Sequence, residues 1–351
     1  MKQIVAKRIK SARALAGFSL RELSQKMNDI VSHNAIKKYE KAEMMPDSKV
    51  LIALSEALAV KTDYFFRPYT VEIDNIEFRK KSSLLSKEVS SIKENVTDTI
   101  SRYLEVEQFL GINSTFDNPI KGIKIKNGND VEKAVEELLS KWKLGYNALP
   151  NVIELLEDNE IKVIELDELD SFDGLSGFAN GVIPVIVVNK NFPVERKRFT
   201  ALHELGHLLL AFDKELTKKD IEKLCHRFAG SMLMPKSTFV KEIGNTRSQI
   251  SLSELVAIKE SYGISIQAIM ARAKDLGVIN EERYIAFRKW INIDINRKSE
   301  VGYGSYIGRE NSTRFKQLLY RATSEELISM SKAANLANQK LASYRDEFIA
   351  I

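Results

Sequence analysis

At 351 residues and 44% hydrophobic content, the chain has room for two or three domains with real cores. No run of about 18 apolar residues occurs, and the opening stretch from Met1 to Arg8 lacks the apolar core of a secretion signal, so neither membrane insertion nor export is expected. The single cysteine, Cys225, excludes an internal disulfide framework and fits a reducing cytoplasm. The net charge is +5, yet residues 1 to 69 alone hold thirteen Lys and Arg against seven Asp and Glu. The basic excess therefore sits at one end, as expected of a small domain that meets a polyanion.

Caps and periodicity predict five short helices in that basic end. The first runs from Lys2 to Ala16 and stops at Gly17. Ser19-Leu-Arg-Glu22 forms a capping box for the second. Ser32 caps the third, from His33 to Lys41, with Ile36 and Tyr39 on its buried side. Asp47 caps a fourth through Leu58, and Thr62 opens a fifth ending at Phe66. Helix, turn and second helix, with Ser32, His33, Asn34, Lys37 and Lys38 exposed, is what reading a major groove of double-stranded DNA requires. The segment resembles the Cro/cI-like (XRE) helix-turn-helix family in Ser19-Leu-Arg-Glu-Leu-Ser24, in Ser32-His-Asn-Ala-Ile-Lys-Lys-Tyr-Glu40 and in Pro46 through Phe65. The turn before the recognition helix is about two residues longer than in that family's compact pattern.

Residues 70 to 120 turn polar, with Arg79-Lys80-Lys81 followed by Ser82 to Leu85. They read as a helical linker whose helix, Ser86 to Leu110, repeats Val89, Ile92, Val96, Ile100 and Leu104 at roughly 3.6 residues. Asp130 is expected to cap a helix to Lys143. A strand follows from Ile161 to Leu166, and Gly174 to Gly181 with Val182 to Asn189 reads as a hairpin. This small antiparallel sheet leads into the stretch that carries the chemistry.

That stretch is His203-Glu-Leu-Gly-His207. Residues four apart share a helix face, so His203 and His207 can aim imidazole nitrogens at one Zn²⁺, and Glu204 falls at the general-base position. A catalytic zinc needs a third protein ligand and an open position. The residues alone leave Asp213, Glu215, Asp220, Glu222 and His226 as candidates, with Glu222 and His226 on one face of the next helix, Thr217 to Met232.

Arg198-Phe-Thr-Ala-Leu-His-Glu-Leu-Gly-His207, the hairpin before it, and Glu222-Lys-Leu-Cys-His-Arg-Phe-Ala-Gly-Ser-Met-Leu-Met-Pro235 resemble the ImmA/IrrE metallopeptidase family. The resemblance implies Glu222 as third zinc ligand and Glu204 as catalytic base. The family's Ala-Asn, three and four residues after that glutamate, is Cys225-His226 here. This leaves His226 open to orienting, ligating or packing roles, and Cys225 open to serving as a thiolate or as a small core residue.

From residue 251 to the end the pattern is helical, with a looser segment from Asn296 to Asn311 and two amphipathic helices last. The expected fold is multidomain and mainly α. It comprises an all-α helix-turn-helix bundle (1–69), a helical linker (70–120), an α+β zincin-like domain of small sheet plus HExxH helix (121–250) and a helical C-terminal region (251–351). Two readings of the whole follow. One is a cytoplasmic DNA-binding regulator whose one-zinc endopeptidase domain cleaves a regulatory protein such as a repressor. The other is a repressor or antitoxin of a toxin–antitoxin module whose zinc domain binds a partner, such as a toxin, with little or no proteolysis. Either pairs two half-sites best as a homodimer.

Overall fold

The computed structural model describes residues 1–67, 73–80, 86–113, 115–167 and 172–349. The N-terminal bundle comprises α1 (Lys2–Leu15), α2 (Leu20–Lys26), α3 (His33–Glu40), α4 (Ser48–Ala57) and a 3₁₀ turn (Thr62–Phe66). The Ser19 hydroxyl accepts from the Glu22 amide, and the Glu22 carboxylate accepts from the Ser19 amide, closing the capping box. Val5, Ile9, Leu23, Ile36, Leu54 and Phe65 form its core. The turn between α2 and α3 takes its extra length through Asn28 and Asp29, at φ 51° and 54°, residue types that tolerate the left-handed region. Ser24, donating to Asp29 or to the Val31 carbonyl, holds that turn.

A 24-residue helix, α5 (Ser86–Phe109), follows. It is engaged on three sides, which is why its sequence is apolar on more than one stripe. Ile92, Val96 and Ile100 pack on the sheet. Tyr103 and Val106 enter the C-terminal bundle. Toward the N-terminal domain, Ser91 donates to the Leu15 carbonyl, Glu94 accepts from Ser11 and Asp98 pairs with Arg8.

The reading of residues 70–120 as helical linker needs one correction. Residues 73–80 form a strand, β1 (Ile73–Lys80), in the main sheet, because the open edge of a sheet recruits any extended backbone that reaches it. Arg79 and Lys80 thus lie in a strand, whereas Lys81 to Leu85 and the boundary between 69 and 70 lie outside the described residues.

The main sheet has the order β1-β4-β5-β3, with β3 (Lys162–Leu166), β4 (Phe172–Ala179) and β5 (Ile183–Asn189). β1, β4 and β5 are antiparallel neighbours; β3 joins β5 in parallel, so the sheet is mixed. One face carries α5, and Val163, Ile186 and Val188 on the other pack against α8 (Val194–Leu209). A two-stranded parallel pair, β2 (Lys124–Ile125) and β6 (Ala211–Phe212), closes the far end of α8. Around α8 lie α6 (Gly128–Lys141), α7 (Val152–Asp158), α9 (Lys218–Leu233), α10 (Lys236–Ile243), α11 (Leu252–Tyr262), α12 (Ile266–Asp275), α13 (Glu281–Asn292) and α14 (Ile295–Lys298). The cap of α6 is Asn127; Asp130 reaches back to the Asn127 amide as the other half of the box. The last segment holds three helices, not two, α15 (Arg314–Ser324), α16 (Met330–Leu336) and α17 (Leu341–Glu347), since Asn338 turns left-handed after α16. No helix among the described residues is long and apolar enough to cross a membrane.

Between α14 and α15 an irregular strap, residues 299–313, ties the helices around α8 together. The Glu310 carboxylate accepts from the Val152 and Ile153 amides at 3.0 Å, capping α7, and pairs with the Arg198 guanidinium where both side chains are fully buried. Ser312 donates to Glu157. Burial pushes the Glu157 carboxyl up to about 7, against the hydrogen bonds from Ser312 and the amides of Arg314 and Thr313 that hold it down.

Two outcomes follow. Glu310→Ala leaves Arg198 buried and unpaired, so stability falls by about 3–5 kcal/mol in denaturant unfolding; a loss under about 1 kcal/mol contradicts the pairing. Glu157 binds its proton more tightly folded than unfolded, so its contribution to stability is lost as pH rises from the ordinary carboxyl range through about 7. Glu157→Gln removes that loss and raises the melting temperature at pH 8 relative to the parent, with little difference at pH 5.

Candidate metal centre and nucleic-acid interface

α8 is buried along most of its length, and its buried residues include Glu195, Lys197, Arg198, His203 and Glu204. Its first turns are fixed by charge: Lys197 donates to Glu165 at 2.7 Å, Glu195 accepts from the Tyr306 amide, and Arg198 meets Glu310. The next turns present the histidines. His203 and His207 place their Nε2 atoms 3.0 Å apart. A zinc with bonds of about 2.0–2.1 Å in tetrahedral geometry sets its donor atoms roughly 3.3 Å apart.

Glu222, on α9, completes that spacing. Its carboxylate oxygens lie 3.5 Å from His203 Nε2 and 3.3 Å from His207 Nε2. Three donors of the types zinc prefers thus converge at ligand-to-ligand distances, and the residues fit the ion. α9 reaches this position because Gly206 faces it without a side chain: a Cβ there would meet Phe228 at 3.3 Å and Cys225 Sγ at 3.4 Å. Cys225 is fully buried in this helix contact. Its sulfur falls within 4.8 Å of donor atoms of His203 and His207, and a ring nitrogen of His226 lies equally within 4.8 Å of donor atoms of His203 and Glu222.

His226 is exposed, and its Nδ1 lies 2.6 Å from the Glu222 carbonyl. The carbonyl accepts, so Nδ1 carries the proton and Nε2 is the acceptor of the neutral ring. The ring stands edge-on to His203, with centroids 4.5 Å apart, and also touches Phe199. It bounds a cavity of about 720 Å³ that Phe199, Arg227, Arg272, Tyr284 and Arg288 also line. Burial pushes the Asp275 carboxyl in that cavity up, against Lys274.

Glu204 is 1% exposed and is met by β4. Ser176 Oγ donates to its Oε2 at 2.8 Å. Gly174, two residues earlier on the same face of the strand, lets β4 come this close: a Cβ there would sit 2.8 Å from Thr200 and 3.0 Å from the Val187 carbonyl. Ser176 was not singled out from the sequence, although its spacing of two from Gly174 in a predicted strand signals a shared face.

In the N-terminal bundle, Ser32 caps α3 by accepting from the Ala35 amide. Asn34, Lys37 and Lys38 are exposed, His33 is half-buried, and Ile36 and Tyr39 are buried. Arg13 of α1 grips Glu40 with two hydrogen bonds, the second at 2.9 Å, and so fixes α3 against the bundle.

Residue-level geometry predicts how zinc affinity responds to substitution. Glu222→Ala weakens it by more than about 100-fold, beyond the range of losing an outer partner. Cys225→Ala changes it little by competition with a chromophoric chelator. The reverse order would make sulfur the third donor.

Comparison with known proteins agrees with both regions. Residues 156–274 match the IrrE N-terminal-like domain of the peptidase M78 family, and residues 9–65 match a helix-turn-helix domain. The chain is also 29% identical over 94 residues to the HTH-type transcriptional regulator ImmR of Bacillus subtilis (strain 168), a match covering 27% of this chain and 68% of that protein. The chain therefore joins a helix-turn-helix domain of the XRE type to an IrrE-like peptidase M78 domain.

Proposed function

We propose that this chain is a DNA-binding transcription regulator whose second domain is a zinc-dependent endopeptidase acting on a regulatory protein. The observation that carries the reading is the convergence of His203, His207 and Glu222 at 3.0–3.5 Å beside a buried Glu204 that does not belong to the donor set. A zinc ion held by these three residues would supply polarisation of a peptide carbonyl and would acidify a bound water towards neutrality. Glu204 would act as general base toward a water attacking the scissile carbonyl carbon, and as that C–N bond breaks it would pass the proton to the departing amine nitrogen. Ser176 holds the carboxylate at the orientation found here, and its hydroxyl yields to the incoming water. His226, fixed to the Glu222 backbone, orients the third ligand and faces the cavity through which a substrate side chain enters.

The helix-turn-helix domain brings this chemistry to an operator, as the regulator role of ImmR suggests by similarity. Ser32, His33, Asn34, Lys37 and Lys38 form its reading face, and paired half-sites call for a homodimer working in the cytoplasm. A second reading, a repressor or antitoxin whose zinc domain binds a partner such as a toxin without cutting it, draws support from one feature: the sheet edge next to Glu204 is already paired with β1.

Glu204→Gln separates these readings. The variant keeps stoichiometric zinc and loses cleavage of co-expressed regulatory proteins in mass-spectrometric profiling, while the parent produces new termini. Equal profiles for parent and variant favour the non-cleaving partner reading. For DNA, a Lys37→Ala/Lys38→Ala double variant binds operator duplex more weakly and with a log–log salt slope shallower by about two. Unchanged binding removes α3 as the reading helix.

A further inference from the structure

Zinc peptidases hold an extended substrate by backbone hydrogen bonds to a sheet edge beside the metal, a form of β-augmentation. Here the strand next to the general base is β4, through Ser176 and Glu204, and its outer edge carries β1 of the same chain. Glu77 lies opposite Ser176 and Phe78 opposite Leu175, in antiparallel sense. Neighbouring strands are spaced about 4.8 Å apart, so the backbone at residue 77 runs one strand width from the residue that holds Glu204. The register slips between Asp74 and Glu77 and again between Phe78 and Lys80. These irregularities flank the stretch facing Ser176, the first with its extra residue on β1 and the second with its extra residue on β4, so regular pairing is interrupted on both sides of it.

Resting on the peptidase reading, we propose that residues 73–80 occupy the place of a substrate strand, and that the site receives an extended segment of another protein only when β1 is displaced. Backbone pairing tolerates almost any sequence, so β1 needs no special side chains to compete. Its advantage is the tether, which presents it at an effective concentration on the order of millimolar. The same segment connects the DNA-reading bundle to α5, and that bundle meets α5 through polar contacts, Ser11 to Glu94 and Arg8 to Asp98. A partner or DNA that shifts the bundle along α5 therefore pulls on the strand that fills the edge.

The test uses the full chain. Successive residues of a strand turn their amides to opposite edges, so Glu77→Pro with Phe78→Pro removes whichever one serves the pairing with β4. A second variant replaces 73–80 by a Gly-Ser stretch of equal length, so the result does not hang on one substitution. In the metal-free Glu204→Gln background, a fluorescein-labelled peptide with the sequence of residues 73–80 is titrated in, and amide exchange is followed across 172–179. The expected result is binding to both variants at least about tenfold tighter than to the parent, the tether having been removed as competitor, with faster exchange in 172–179. Equal peptide affinity and equal exchange in all three chains overturn the proposal.

A second arm, with zinc and Glu204 intact, measures hydrolysis of an extended reporter peptide. Faster turnover by both variants supports occupancy by β1, and equal turnover in all chains contradicts it. No hydrolysis by any chain sinks the peptidase reading, while the binding arm still decides whether β1 holds the edge.

Discussion

Everything around the candidate metal centre depends on keeping the charges buried on α8 paired. An ionised group away from water is costly unless an opposite charge and hydrogen bonds meet it. α8 buries Glu195, Lys197 and Arg198 in its first turns, five to eight residues before His203. Each is answered from a different part of the chain: Glu195 by Lys259 on α11, Lys197 by Glu165 on β3, and Arg198 by Glu310 in the strap. Because the Arg198 and Glu310 side chains are both fully buried, neither can leave without stranding the other. The pairs pin the angle and depth of α8, and the histidines one or two turns later inherit that placement.

α5 plays the complementary part. It lies on the opposite face of the sheet from α8 and carries three contacts at once, to the DNA-reading bundle, the sheet and the C-terminal helices. A polar stretch that reads as a connector is thus the piece on which the other parts are assembled. Its contact with the N-terminal bundle includes the hydrogen bonds of Ser91 and Glu94 and the ion pair of Asp98 with Arg8. Its apolar contacts with the sheet and the C-terminal helices are joined by ion pairs of Glu107 with Lys162 and of Glu105 with Lys332.

What could be read from the sequence was whatever depends on neighbours in sequence. Caps such as Ser19, Ser32 and Asp47 were visible because capping needs only three or four consecutive residues. The shared face of His203 and His207 was visible from helical period alone, and the structure sets their nitrogens 3.0 Å apart. The same period could not choose between Glu222 and His226, which are four apart and both bring a ligand atom close to His203. Glu310 was illegible because its partner is 112 residues away and it sits in an irregular strap. β1 was illegible for the opposite reason: an edge strand owes its place to the backbone of β4 and leaves no strong mark in side-chain pattern. Ser176 lay between these cases, legible as a strand face but not as the partner of Glu204.

The proposed zinc site is an open one with three donors, His203, His207 and Glu222, and with Cys225 in the helix contact rather than on the metal. X-ray absorption at the zinc edge of the purified full-length chain tests it most directly. Expected are nitrogen and oxygen scatterers at about 2.0–2.1 Å, including the multiple-scattering signature of two imidazoles, and no sulfur shell. A sulfur scatterer at about 2.3 Å would place Cys225 on the metal, close the site, and contradict the assignment of Glu222 as the third ligand.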